Sequence, residues 1–288
     1  VAGLAAVVVG QQQDGVVRSG VFADPSTALD IILPLRESGD RDPLFCVHPA
    51  AGLAWNYATL AFHMGEHQPV YALQNPSISG SFGAGRLETI EELASIYVAE
   101  IKKVQPSGPY KLLGWSLGGH IAHAMAVKLQ LDGSEVAFLG LMDSQIPAGD
   151  ASVEQYEEVR IQDMLEELAG GLGIRIEGRI SDSSEAESLL HASEIGLEFI
   201  RASHIDRMHE NVNAAVKLIS AYRPKRFSGD LIYFSATKDS IVPTGDQWAP
   251  HISGDVVDYS IAASHSQLGE GRPLEEVARI LSVTMRGL

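Results

Sequence analysis

The segment Gly114-Trp115-Ser116-Leu117-Gly118-Gly119 constrains this chain more than any other. It reads Gly-x-Ser-x-Gly. Tyr110-Lys111-Leu112-Leu113, just before it, has the character of a buried strand, and His120 to Leu131, just after it, that of a helix. A strand, a tight turn with serine at its tip and a helix form the setting of a nucleophile elbow. The turn strains the backbone, and a Cβ at Gly114, Gly118 or Gly119 would meet the neighbouring strand or helix. Such a turn holds the Ser116 hydroxyl out of the sheet. It also puts the Leu117 amide at the helix start, where an unpaired N–H can face an oxyanion. The competing reading is a glycine-rich strand-to-helix turn with an incidental serine.

Around this turn strands and helices alternate. Strands are predicted at Ile31–Leu35, Leu44–Val47, Val70–Leu73, Lys111–Gly114, Ala137–Met142, Leu231–Ser235 and Val256–Ile261. Helices are predicted at Trp55–Met64, Thr89–Val104, Leu117–Leu131, Ile205–Tyr222 and Pro273–Met285. In the fourth of these, Ile205, Met208, Val212, Val216 and Ile219 share one face at helical spacing. The alternation predicts an α/β fold, a mostly parallel sheet with helices on both faces. Pro147 to Ser203 breaks the pattern, with no clear strand and 13 Asp and Glu against 4 Arg. Within it Glu154–Leu168 reads as an acidic amphipathic helix, ended by Gly170-Gly171-Leu172-Gly173. A helical insertion above strand ends commonly acts as a lid, and its charge reads as a solvated face. At the N-terminus, Val1 to Val9 reads as the last turns of a small helix. Gly10 to Ser26 has linker composition, so residues 1–28 stand apart from a main domain over 29–288.

Charge narrows the partners. With 21 Lys and Arg against 37 Asp and Glu, the net charge of −16 repels nucleic acid and anionic lipid. No apolar run approaches membrane-spanning length. The first nine residues are apolar, but no basic residues precede them, which argues against a signal peptide. Cys46 is the only cysteine. It lies in the apolar run Leu44 to Val47 and reads as a core residue. With no disulfide possible within the chain, a reducing cytoplasm is the expected compartment.

A serine hydroxyl needs a base within hydrogen-bond reach, and histidine is the usual one. His265 lies in Ala263-Ser264-His265-Ser266-Gln267, just after the last predicted strand, where a loop can present it. The other histidines fit less well. His120 and His123 lie on the helix behind the serine, and His204 and His209 on a late helix. His63 and His67 lack the glutamate of a metalloprotease motif. Packing or surface placement explains them, and no set of metal ligands has a suitable spacing. A third group must fix the imidazole tautomer. Asp143 and Asp239 both follow predicted strands, and the residues leave the choice between them open. The second oxyanion donor is expected from the loop Val47-His48-Pro49-Ala50-Ala51-Gly52. Ala50 supplies it, because Pro49 has no N–H, while His48 reads as a loop-orienting residue.

Together these residues resemble the thioesterase domain at the C-terminal end of a nonribosomal peptide synthetase, a member of the α/β-hydrolase superfamily. The resemblance rests on Phe45-Cys46-Val47-His48-Pro49-Ala50-Ala51-Gly52, Pro69-Val70-Tyr71-Ala72-Leu73-Gln74, Gly114 to Gly119 and Ser264-His265. It extends over about Leu29 to Leu288. It implies an α/β-hydrolase fold with a helical lid, and it favours Asp143 over Asp239 as the acid. It also implies an acyl or peptidyl chain arriving as a thioester on the phosphopantetheine arm of an upstream peptidyl carrier domain. The domain itself binds no cofactor. Ser116 takes the chain as an acyl-enzyme, which is released by hydrolysis or macrocyclisation. Val1-Ala2-Gly3-Leu4-Ala5 resembles the last helix of such a carrier. Carrier domains are usually acidic, so docking to an acidic lid is expected through apolar contacts and tethering. Substrate specificity is expected to lie in the Asn75–Gly85 loop and the lid. Two other readings remain: a stand-alone editing thioesterase or esterase of the same fold, and a catalytically silent carrier-binding module.

Overall fold

The structure is a computed structural model that describes residues 26–80, 88–147, 158–171, 176, 178–192 and 197–287. The N-terminal helix and most of the linker expected before Ser26 lie outside the described residues, as does the second half of the Asn75–Gly85 loop. Seven strands form one sheet: β1 (Ile32–Arg36), β2 (Leu44–Val47), β3 (Val70–Leu73), β4 (Tyr110–Trp115), β5 (Val136–Met142), β6 (Leu231–Ala236) and β7 (Val256–Ile261). Their spatial order is β1-β3-β2-β4-β5-β6-β7. Only β1 is antiparallel to its neighbour. All seven predicted strands are present, three with the predicted bounds and the others one residue different at one or both ends.

The central strands are apolar on both faces because both faces are covered. Leu44 and Cys46 of β2 and Leu113 and Trp115 of β4 join one core, against α1 (Tyr57–His63) and α7 (Gly271–Thr284). Phe45 and Val47 join the other, with Leu112 and the helices α2 (Ile90–Val104) and α3 (Leu117–Leu131). The two-residue period of a strand thus feeds two cores at once. Cys46 is wholly buried in the first of them. Helix α2 starts on a capping box, in which the Thr89 side chain accepts from the Glu92 amide and Glu92 accepts from the Thr89 amide. Ala28 is already buried, and its carbonyl accepts from Trp55 Nε1 (3.0 Å) and Gln74 Nε2 (2.9 Å), which ties the segment before β1 to the body of the fold.

Between β5 and β6 the chain builds α4 (Ile161–Gly171), α5 (Ser183–Ala192) and α6 (Ala202–Ala221). This is the insertion expected over Pro147 to Ser203, and it runs on into α6. Helix α4 begins later than the predicted Glu154, since residues 158–160 are not helical. The Val159 amide donates instead to Asn213 Oδ1 on α6 (2.8 Å), and the Arg160 guanidinium pairs with Asp163 in the first turn. The helix ends at Gly171, within the glycine run where the sequence suggested a stop.

The order of the sheet reverses at β2. The chain passes from β2 to β3 on one side, then crosses to β4 on the other. The crevice beyond the carboxyl ends of β2 and β4 is therefore the topological switch point, the usual ligand position in an open α/β sheet. Glycines let the two chains close on each other there. A Cβ on Gly118 would lie 2.5 Å from the His48 carbonyl oxygen and nearer still to that of Val47. A Cβ on Gly114 would strike the Gly118 carbonyl, and one on Gly119 the Ser144 hydroxyl. Gly118→Ala is expected to lower the unfolding free energy by about 3 kcal/mol, the upper end for overpacking. Urea denaturation measures this, and a change within about 0.5 kcal/mol, as at an ordinary surface site, contradicts such close packing.

Candidate active site

Ser116 stands between β4 and α3 with φ 57° and ψ −124°, a conformation that disfavours any side chain. Two backbone bonds and a ring contact hold it there. Its amide donates to the Met142 carbonyl at the end of β5 (2.9 Å), and its carbonyl accepts from the Gly119 amide (3.1 Å). The His120 ring makes the contact, with Nδ1 3.2 Å from the Ser116 carbonyl oxygen and Nε2 3.1 Å from that of Gln145. A neutral imidazole donates to one of these carbonyls at a time. Burial pushes the His120 pKa down to about 4, against the pull of the two carbonyls, so the ring stays neutral.

Asp143 follows β5 with φ 46°, a left-handed turn that aspartate tolerates better than most residues. Its amide donates to the Phe234 carbonyl (2.9 Å), and its Oδ1 accepts from the Ala236 amide (3.0 Å). The carboxylate is buried and its second oxygen is left to face the loop after β7. His265 comes down from that loop. Its Nδ1 lies 2.7 Å from Asp143 Oδ2, and its Nε2 lies 3.0 Å from Ser116 Oγ. The carboxylate can only accept, so Nδ1 carries the proton and Nε2 is left to accept from the Ser116 hydroxyl. Asp239 is also near, but elsewhere: its Oδ2 accepts from the His265 backbone amide (2.6 Å). Both candidate acids therefore meet His265. Asp143 reaches the imidazole, and Asp239 caps the loop that carries it.

Opposing effects act on the His265 charge. Desolvation lowers its pKa, but the hydrogen bond and field of Asp143, together with the fields of Glu167 and Asp239, raise it further, and the net shift is upward from 6.5. The cation is thus favoured beside three carboxylates.

Leu117 opens α3, so its N–H belongs to the first turn, which has no intrahelical acceptors. The Gly118 contact with Val47 and His48 sets that turn against the end of β2, where Ala50 lines the crevice. His48 fixes this loop. It is fully buried, its Nδ1–H donates to the Pro49 carbonyl (2.6 Å), and its Nε2 accepts from the Tyr97 hydroxyl (2.7 Å). Burial pushes its pKa down to about 4, which keeps this donor pattern at neutral pH.

The remaining histidines are apart from this centre. His123 is buried behind α3, with Nδ1 2.8 Å from the Tyr222 hydroxyl, and burial drives its pKa to about 3. His67 meets Asp40 at the surface, and His209 Nε2 lies 2.6 Å from the Val159 carbonyl oxygen. Among the described residues no three His, Cys, Asp or Glu side chains gather as a metal site. No described helix is long and apolar enough to cross a membrane.

Next to Ser116 and His265 lies a cavity of about 60 Å³, roofed by Met164, Glu167 and Leu168 of α4 and walled by Trp55, Asn56 and Trp115. It holds a side-chain end; enclosing a whole peptide requires α4 to move. Sequence reasoning did not single out Glu167 or Asn56. Glu167 sat in a run of acidic residues read as a solvated face. Its position three residues after the buried Met164 was the signal that it borders the inward side of the helix.

Residues 42–284 match the thioesterase domain family. The chain belongs to that family. This thioesterase domain is 35% identical over 275 residues to a dimodular nonribosomal peptide synthase of Bacillus subtilis, covering 91% of the chain and 11% of that protein. It spans a small part of its curated relatives, 5% and 3% of the next two. Solved structures share the fold at lower identity. The NocB thioesterase domain, in covalent complex with a fluorophosphonate nocardicin G analogue, superposes with a TM-score of 0.62 at 21% identity, covering 88% of this chain and 98% of that one. SrfTE, the thioesterase domain that cyclises the lipopeptide antibiotic surfactin, gives 0.61 at 17% identity, covering 92% and 98%.

The His265 imidazole of this thioesterase should titrate by NMR with a midpoint above 6.5. In Asp143→Asn the bonded charge is gone and desolvation prevails, so the midpoint should fall below the wild-type value. An unchanged midpoint contradicts the pairing.

Proposed function

We propose that this thioesterase domain takes a peptidyl or acyl chain from the phosphopantetheine thioester of an upstream carrier domain onto Ser116 and then releases it. The observation that carries this reading is the hydrogen-bonded run from Ser116 Oγ through His265 to Asp143. His265 Nε2 takes the hydroxyl proton as Oγ bonds to the thioester carbonyl carbon. The Leu117 and Ala50 amides receive the oxyanion that forms. When the C–S bond breaks, the imidazolium returns the proton to the departing thiolate. Asp143 holds the tautomer and stabilises the imidazolium, and Asp239 holds the loop in register. Water, or a hydroxyl or amine of the chain itself, then attacks the acyl-enzyme by the reverse sequence of proton transfers.

The catalytic unit spans 29–288, with its lid between β5 and β6. Membership of the same family as domains of multidomain synthetases supports a carrier domain as the donor. The hydrogen-bonded serine and base weigh against a silent binding module, and the match to part of a peptide synthase weighs against a stand-alone esterase.

Ser116→Ala should abolish labelling by a serine-directed fluorophosphonate, read by intact-mass spectrometry. Labelling that persists places the nucleophile elsewhere. Asp143→Asn should slow acyl-enzyme formation about 10⁴-fold, as loss of a tautomer-setting acid does. Asp239→Asn, which removes one charge-assisted backbone bond, should slow it about tenfold. The reverse ranking transfers the acid role to Asp239.

A further inference from the structure

The cavity beside Ser116 combines an apolar lining with a carboxylate. Leu53, Trp55, Trp115, Met164 and Leu168 make it apolar, and Glu167 is the one charged side chain among its described lining residues. No Lys, Arg or His lines it there, and Glu167 has no ion-pair partner among the described residues. A second carboxylate faces the same seam. Glu270 lies against α4, since a Cβ on Gly170 would come within 2.8 Å of its Oε1. The lid helix thus closes over the His265 loop with two carboxylates facing it, and the His265 imidazole is the basic group whose field reaches Glu167.

A further feature indicates what fits. Trp55 and Trp115 line the cavity, and aromatic ring faces attract cations. An occupant with one positive charge suits these rings and the Glu167 carboxylate.

Resting on the acyl-transfer reading above, we propose that Glu167 is a specificity-determining residue that receives a cationic side chain, an ammonium or guanidinium, carried by the acyl residue nearest the thioester. Glu270 adds its field, and the cation relieves the repulsion between the two carboxylates, so the matching substrate also favours the closed position of α4. The Glu167 side chain is open to solvent at the cavity mouth and lies within the fields of both His265 and Glu270.

The test compares three pantetheine thioesters: N-acetyl-lysyl, N-acetyl-norleucyl and N-acetyl-α-aminoadipoyl. Single-turnover acyl-enzyme formation is followed by intact-mass spectrometry at low salt. Wild type should favour the lysyl over the norleucyl thioester by about tenfold or more, the scale of a hydrogen bond to a charged group. Glu167→Gln should bring that ratio close to one, and Glu167→Lys should invert the preference toward the aminoadipoyl chain. Each ratio is taken within one protein, so a general loss of activity or stability cancels. A wild-type ratio near one overturns the cation site, as does a ratio that survives Glu167→Gln. Wild-type fluorophosphonate labelling separates the two levels. Labelling at Ser116 with a ratio near one overturns only the cation site, whereas no labelling at Ser116 overturns the acyl-transfer reading on which it rests.

Discussion

Everything at this site depends on how closely the first turn of α3 packs against the ends of β2 and β4. Gly114, Gly118 and Gly119 have no room for a Cβ, because backbone and the Ser144 side chain already occupy the space. That closeness fixes Ser116 in a conformation costing about 1–3 kcal/mol. It persists because the surroundings over-determine it, through bonds to Met142 and Gly119 and the contact with His120. The same packing sets the first free amides of the helix beside the loop after β2. One steric requirement therefore places both a nucleophile and an anion-stabilising edge.

Burial works in opposite directions on the histidines, and the difference is whether a carboxylate is present. His48 and His120 are buried among carbonyls and a hydroxyl, and desolvation wins, so each is a fixed neutral donor. His265 is pulled down by desolvation too, but Asp143, Glu167 and Asp239 more than offset it. A scaffold that keeps its structural imidazoles neutral while readying one to take a proton separates orientation from chemistry. Asp143 and Asp239 divide similarly. One bonds the ring and the other the backbone, so the direction of the imidazole and the position of its loop are set by different groups.

Much of this was legible in the sequence, because the sheet strands are short apolar runs bounded by polar turns. The glycine spacing around Ser116 has only one economical use. The placement of His265 followed from a loop leaving a strand end. What the residues alone left open was the acid. Asp143 and Asp239 both sit after strands, and the distinction comes from the left-handed turn at Asp143 and the Ala236 amide that aims its carboxylate. The start of α4 and the position of Glu167 were hidden for a related reason. They depend on Asn213 and on the loop at residues 266–269, contacts made across long stretches of chain. Local acidity suggested a solvated face, and Glu166 and Glu167 are indeed exposed; what the residues alone hid is that tertiary packing sets Glu167 at the rim of the cavity.

The insertion between β5 and β6 begins and ends on strands that are hydrogen-bonded neighbours, Gly140 pairing with Ile232 and Met142 with Phe234. The sheet itself thus fixes its two ends, at opposite ends of a parallel strand pair, whatever lies between them. Asp143 belongs to the sheet end, and Ser116 and His265 lie on other connections. A lineage can lengthen, shorten or recharge this segment without moving the reacting atoms. Selectivity and reactivity can then diverge at separate rates along one chain, and transplanting the segment between relatives becomes a practical way to alter one while keeping the other.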